Sequence, residues 1–238
     1  MPTPSILAEL PRHTRKAVRF YWQTRSQQLE KQRKAGGSDQ GSRSAVTGGA
    51  QMDGFIELLT KLVIEAGIDA KDIYHRNSLE LPGYFRPNKK WDFLVVPDGQ
   101  LIAALESKSQ VGPSFGNNFN NHEYEAMGRA LDLWAAFRKQ EFAFRPWVGY
   151  LLFIEDGNAS DVQRCEILCR RLFLERHFDA VALLASDLRT GLNGDYVEPV
   201  SDFGFEHFST SLFMHIAAFS GRIQDLPPRE LAGATSAS

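Results

Sequence analysis

An α/β domain, a mixed β-sheet flanked by α-helices, is predicted by three features of the sequence. Two apolar runs of strand composition, residues 93–96 and 101–105, flank Pro97-Asp98-Gly99-Gln100 and make a β-hairpin centred near Gly99. After it a helical stripe is followed by a strand run, and that pattern then repeats, as in crossover units with parallel strands. The 238 residues suit one such domain with insertions.

Taken in order, residues 1–34 form a basic helical segment, with Leu7, Leu10, Val18, Tyr21, Trp22 and Leu29 among its apolar positions and Pro11 interrupting its start. Residues 35–50 are rich in Gly, Ser and Thr and are expected to be a flexible loop. The core is expected over residues 51–226. It opens on a helix at 51–66, whose apolar stripe includes Met52, Phe55, Leu58, Leu59, Leu62 and Val63, with Gly67 as its stop. A short strand at 78–81 precedes the chain breaks at Pro82-Gly83 and Pro87. The hairpin follows, then a loop at 112–121, in which Asn121 suits a helix cap. A helix at 122–140, a strand at 147–154, a helix at 161–178, a strand at 180–185 and a closing helix at 205–219 complete the core. The Pro-Pro tail, residues 227–238, is expected to be disordered.

Composition excludes some functions. Hydrophobic residues make up 43% and charged residues 24%, and no apolar run approaches the roughly 20 residues that a membrane helix needs. The N-terminus lacks the apolar centre of a signal peptide, so a cytoplasmic protein with no membrane partner is expected. Cys165 and Cys169, the only cysteines, share a helical face with no histidine pair at zinc-ligand spacing, and read as reduced packing thiols. With a formal charge of −2 there is no global basic field, so any contact with nucleic acid needs local patches. Two exist: Arg12, Arg15, Lys16, Arg19, Arg25, Lys31, Arg33 and Lys34 in the first helix, and Arg86, Lys89 and Lys90 before the hairpin. A solvated helix face would look the same as the first.

The hairpin ends in charge. If the turn sets the register, Asp92 faces Glu106, and directly opposed carboxylates have Cβ atoms roughly 5 Å apart and repel. A hard cation with oxygen ligands, Mg2+ among them, would relieve that repulsion. Side chains two apart share a strand face, which puts Lys108 beside Glu106. An acid, a hairpin, a second acid and a lysine suit metal-assisted hydrolysis of a phosphodiester, whereas a structural Lys108–Glu106 pair is the plainer alternative. Asp53 and Glu57 share a face of the earlier helix and are candidates to reach a water at the metal or a second ion, or to be helix surface with Lys61 as partner.

The words Leu81-Pro82-Gly83-Tyr84-Phe85-Arg86-Pro87, Trp91-Asp92-Phe93-Leu94-Val95-Val96 and the run from Glu106-Ser107-Lys108 to Phe119-Asn120-Asn121 resemble the XhoI family of type II restriction endonucleases, and Met52-Asp53-Gly54-Phe55 extends the likeness. The resemblance implies a restriction-endonuclease-like core of the PD-(D/E)XK superfamily, with Trp91 where the superfamily proline would stand. It makes Asp92, Glu106 and Lys108 catalytic, and Asp92, Glu106 and the backbone carbonyl of Ser107 the ligands of Mg2+. It further implies a prokaryotic homodimer acting on double-stranded DNA, at the palindrome 5′-CTCGAG-3′ with 5′ overhangs, alongside a cognate DNA methyltransferase. Asn117, Asn118, Asn120 and Asn121, together with Arg86, Lys89, Lys90 and Arg43, are the candidate DNA contacts, since asparagine pairs bidentately with adenine and basic groups meet phosphate. Arg129, Arg138 and Arg145 are secondary candidates. The alternatives are a DNA-repair or recombination nuclease with the same core, and a noncatalytic DNA-binding protein that keeps the fold.

Overall fold

The computed structural model describes residues 5–34, 49–75, 79–112 and 115–221, with the side chains at 32, 33, 115–118 and 122 outside that description. Arg43, the expected flexible loop as far as residue 48, and the expected tail therefore lie outside the described residues. So do the side chains of Arg33, Asn117 and Asn118.

The chain begins with a short helix α1 (Ser5–Ala8) and a long helix α2 (Leu10–Lys34), separated at Glu9. Pro11 explains the break, because its missing N–H removes the bond back to residue 7. A 3-10 turn then leads into α3 (Asp53–Glu65), whose Phe55, Leu58, Leu59, Leu62 and Val63 are buried as their spacing predicts. Next come β1 (Ile73–His75), β2 (Glu80–Pro82), β3 (Asn88–Lys90), β4 (Phe93–Val95) and β5 (Ala103–Gln110). The remaining elements are α4 (Phe115–Arg138), β6 (Trp147–Glu155), α5 (Ala159–Leu174), β7 (Ala180–Ser186), the single turn α6 (Leu188–Gly191) and α7 (Phe205–Phe219).

Five strands form one mixed sheet in the order β1-β4-β5-β6-β7. The pairs β1–β4 and β4–β5 are antiparallel, while β5–β6 and β6–β7 are parallel. β6 and β7 are buried almost throughout, because helices cover both faces of the sheet. On one face α2, α3 and α7 pack against Phe93, Leu105, Leu151, Phe153 and Leu184. On the other, α4 and α5 pack against Leu94, Ala104, Tyr150, Leu152 and Leu183, and both cysteines sit there, unpaired and buried. Burial pushes the thiol of Cys165 up to about 12 and also raises that of Cys169 well above its ordinary value, so both are inert packing groups.

Three local expectations need correction. The segment expected to be a loop at 112–121 is helical from Phe115 onward, and Asn121 lies inside α4 rather than capping it. Glycine and asparagine are poor helix formers, but Phe119 is buried on the same stripe as Ala126, Ala130 and Leu133, with the Arg164 guanidinium 4.7 Å above its ring. Tertiary burial overrides local propensity here. β1 and β3 were not expected: Asn88–Lys90 has no apolar residue, and Ile73–His75 has only a short mixed run. β3 pairs with β2 in a small separate hairpin. Finally, α5 runs over Ala159–Leu174 rather than 161–178, capped by Asn158 Oδ1, which accepts from the Ser160 N–H at 3.0 Å.

Candidate active site

The site is built where the hairpin leaves the sheet. Its turn is a tight one at Pro97–Gly99, with Asp98 at φ 50° and Gly99 at φ 75°, the left-handed pair that the Asp-Gly step supplies. The register that follows, Phe93 with Leu105 and Val95 with Ala103, puts Asp92 one step out, opposite Glu106. Alternation turns Asp92, Glu106 and Lys108 toward the layer of α4, the face on which Leu94 and Ala104 lie.

Glu106 is 0% exposed, held by two cations and faced by a like charge. Lys108 Nζ lies 2.8 Å from Oε1, Arg129 donates to Oε2, and the Asp92 carboxylate acts on it from across the hairpin. Asp92 Oδ2 in turn accepts from the Ser107 backbone N–H at 2.8 Å and from its hydroxyl at 3.2 Å, which clips β4 to β5 at the site. Burial first and the Asp92 charge second push the Glu106 carboxyl up to about 7, against the opposing pull of Lys108 and Arg129. Burial also disfavours the Lys108 ammonium, but the Glu106 charge outweighs it, and Lys108 ends above its ordinary value. It is a cation.

Residues on α4 complete the centre. Glu125 lies 3.1 Å from Lys108 Nζ, and Arg129, one turn on, donates both to Glu106 and to the Lys90 carbonyl oxygen at 3.0 Å. Tyr150 is the register partner of Glu106 on β6, with a buried hydroxyl that burial keeps protonated. Sequence reasoning missed Glu125 and Tyr150, and cast Arg129 only as a DNA contact. The signal for the first was the i, i+4 spacing of Glu125 and Arg129 on the helix that follows the charged strand.

The other candidates lie elsewhere. Glu57 is exposed and paired with Lys61 at 2.6 Å, and Asp53 opens the same helix, α3, which packs on the opposite face of the sheet. Arg86 is exposed at the tip of the β2–β3 hairpin, Lys89 is half-buried, and Lys90 pairs with Glu80 at 3.2 Å. Asn120 and Asn121 are exposed on α4. In the basic segment, Arg12 pairs with Glu9, Arg15 with Asp195, and Arg19 donates to the Asn193 carbonyl. Arg145 is held by Asp179 at 2.7 Å and stacks 4.7 Å from the Trp134 ring, which gives it a structural role.

Among the described residues no three His, Cys, Asp or Glu side chains group as a ready metal site. The donors that do converge are two hard carboxylates on adjacent strands. Glu106 Oε1, though close to the ammonium, accepts no aligned hydrogen bond and so keeps lone pairs for a cation. Hard carboxylate oxygens of this kind are the donors a divalent ion such as Mg2+ takes. Also among the described residues, no helix is long and apolar enough to cross a membrane.

Known proteins match this chain along most of its length. The family model described as restriction endonuclease XhoI matches residues 31–162, the stretch that contains Asp92, Glu106, Lys108, Glu125 and Arg129. The type II restriction enzyme BstVI of Geobacillus stearothermophilus is 43% identical over 213 residues, covering 78% of this chain and 95% of its own. Type II restriction enzyme AbrI of Azospirillum brasilense is 45% identical over 163 residues, 67% of this chain and 73% of its own. Type II restriction enzyme XhoI of Xanthomonas vasicola is 40% identical over 194 residues, 71% and 77% respectively. No solved structure matches the chain.

Proposed function

The chain belongs to the restriction endonuclease XhoI family, and from that membership we propose that it cuts double-stranded DNA at one palindrome with Asp92, Glu106 and Lys108 as its catalytic centre. It is a type II restriction enzyme, a site-specific deoxyribonuclease. The observation that supports the assignment of the centre is the convergence of Asp92, buried Glu106 and Lys108 on one face midway along the central strand β5.

Asp92, Glu106 and the Ser107 carbonyl are the residues that would hold Mg2+. Bound there, such an ion supplies positive charge to the phosphate and acidifies water. Lys108 is kept protonated by Glu106, so it orients the attacking water and faces the charge that builds on the phosphate oxygens. Glu125 holds the Lys108 ammonium from its outer side, and Arg129 holds the Glu106 carboxylate. Water attacks phosphorus in line and gives up a proton to solvent, the bond to the 3′ oxygen of the deoxyribose breaks, and that oxygen takes up a proton.

The family resemblance supplies the target, 5′-CTCGAG-3′ cut near its 5′ side to leave 5′ overhangs. A palindrome calls for two-fold symmetry, so the working unit is a homodimer with one centre per strand. A cognate methyltransferase protects the host site, and the enzyme works in the prokaryotic cytoplasm. Incubating the purified protein with plasmid and Mg2+ and sequencing the cut ends tests this reading. Discrete fragments sharing CTCGAG are expected, while a smear or a preference for junctions would favour a repair nuclease.

A further inference from the structure

The β2–β3 hairpin carries two large aromatic side chains into solvent. Phe85 is 72% exposed and Tyr84 49%, their rings edge to face with centroids 4.8 Å apart. Exposed aromatic side chains occur on many surfaces, but this tip is tied to the helix beneath it. The Phe85 N–H donates at 2.7 Å to Oδ1 of Asp132, an α4 carboxylate that is 2% exposed and whose Oδ2 accepts no hydrogen bond among the described residues. Gly83 packs so closely that a Cβ there would lie 2.4 Å from Asp132 Oδ2 and 2.3 Å from the Arg86 carbonyl oxygen. Burying a half-satisfied carboxylate to fix an exposed tip is costly to stability. A fold with no use for the tip gains nothing from that arrangement.

The stem is tied to the nuclease centre. Arg129 binds the Lys90 carbonyl at the end of β3 and the Glu106 carboxylate through the same Nη1, and only Trp91 separates β3 from Asp92. Arg86 and Lys89 give the hairpin the charge that meets phosphate, while Lys90 is paired with Glu80. Positive charge beside tethered aromatic groups, next to the hydrolytic centre, matches the chemistry of a duplex rather than an apolar protein partner.

We propose that Tyr84 and Phe85 form a wedge that packs against a base step of the bound duplex near the scissile phosphate, and that Asp132 and Gly83 hold it in place. This rests on the nuclease reading above. The wedge spreads the stack at the step it meets, so the enzyme also reads how easily that step deforms.

The test uses the full-length protein and a duplex carrying the sequence at the mapped cut ends, with Ca2+ in place of Mg2+ to hold it uncut. A fluorescent purine analogue placed at successive steps should brighten at one step on binding the wild type and not on binding Phe85→Ala. Phe85→Ala and Tyr84→Ala should each weaken binding by roughly ten- to a hundredfold, the loss expected for a base–aromatic contact. Leu174→Ala, which removes an exposed side chain at the far end of α5, should bind and brighten like the wild type. Brightening and affinity unchanged in Phe85→Ala would overturn the wedge while leaving the nuclease reading intact. A Phe85→Ala protein altered only in its sedimentation would overturn it in favour of a protein contact. A wild type that neither binds nor cuts any duplex would remove both readings.

Discussion

Burial beside Asp92 favours the neutral form of Glu106 and pushes its carboxyl up from an ordinary 4.5 to about 7. The sign of the stability effect follows: the folded protein holds a proton that the unfolded chain has already lost. Stability from the neutral acid is complete below about 4.5 and is lost as pH rises through about 7. In chelator, therefore, the wild type should lose stability relative to Glu106→Gln across that window in urea titrations, and parallel curves would refute the shift. For catalysis, Glu106→Gln and Lys108→Ala should each lower single-turnover cleavage by roughly a thousandfold or more while Ca2+-supported binding persists, since each removes charge stabilisation at the reacting phosphate. Glu125→Gln should cost about tenfold at most, because its carboxylate is half-exposed and meets the proposed centre through Lys108. These roles were legible in part. Acid, turn, acid, x and lysine are adjacent in sequence and the strand period aligns them, whereas Glu125 and Tyr150 join the centre only through the packing of α4 and β6.

Among the elements, α4 bears most of the site's support: Glu125, Arg129 and Asp132 project from it toward Lys108, Glu106 and the β2–β3 tip. Its first turns exist because Phe119 is buried, so Phe119→Ala should destabilise the protein by about 3–4 kcal/mol in denaturant titrations. A cost within error of zero would mean that the helix start does not depend on that ring. β6, β7 and α7 could be read directly, since long apolar runs and stripes carry their own period. β1 and β3 could not, because neither carries the apolar run or the turn signal that marks β4, and their pairing supplies what their composition lacks.

Across the whole molecule, the sheet is a partition. Glu57 lies on α3, on the far side from Glu106, and in an exposed pair with Lys61, so Glu57→Ala should leave cleavage within about twofold of wild type in plasmid assays. A large loss would place α3 at the reacting phosphate after all. The palindrome proposed as target calls for a dimer, so sedimentation with a duplex carrying it should show two 26.8 kDa chains per duplex. The amino-acid sequence alone determined the helices and strands with strong periods, the hairpin turn and the facing of Asp92 and Glu106, because all of these depend on residues close along the chain. The layer on which α3 sits, the reach of α4 back to Lys108 and Glu106, and the bracing of an exposed aromatic tip by a buried Asp132 were settled by packing across the sheet. Those contacts join residues tens of positions apart, and only the burial of both helix faces against one sheet brings them together.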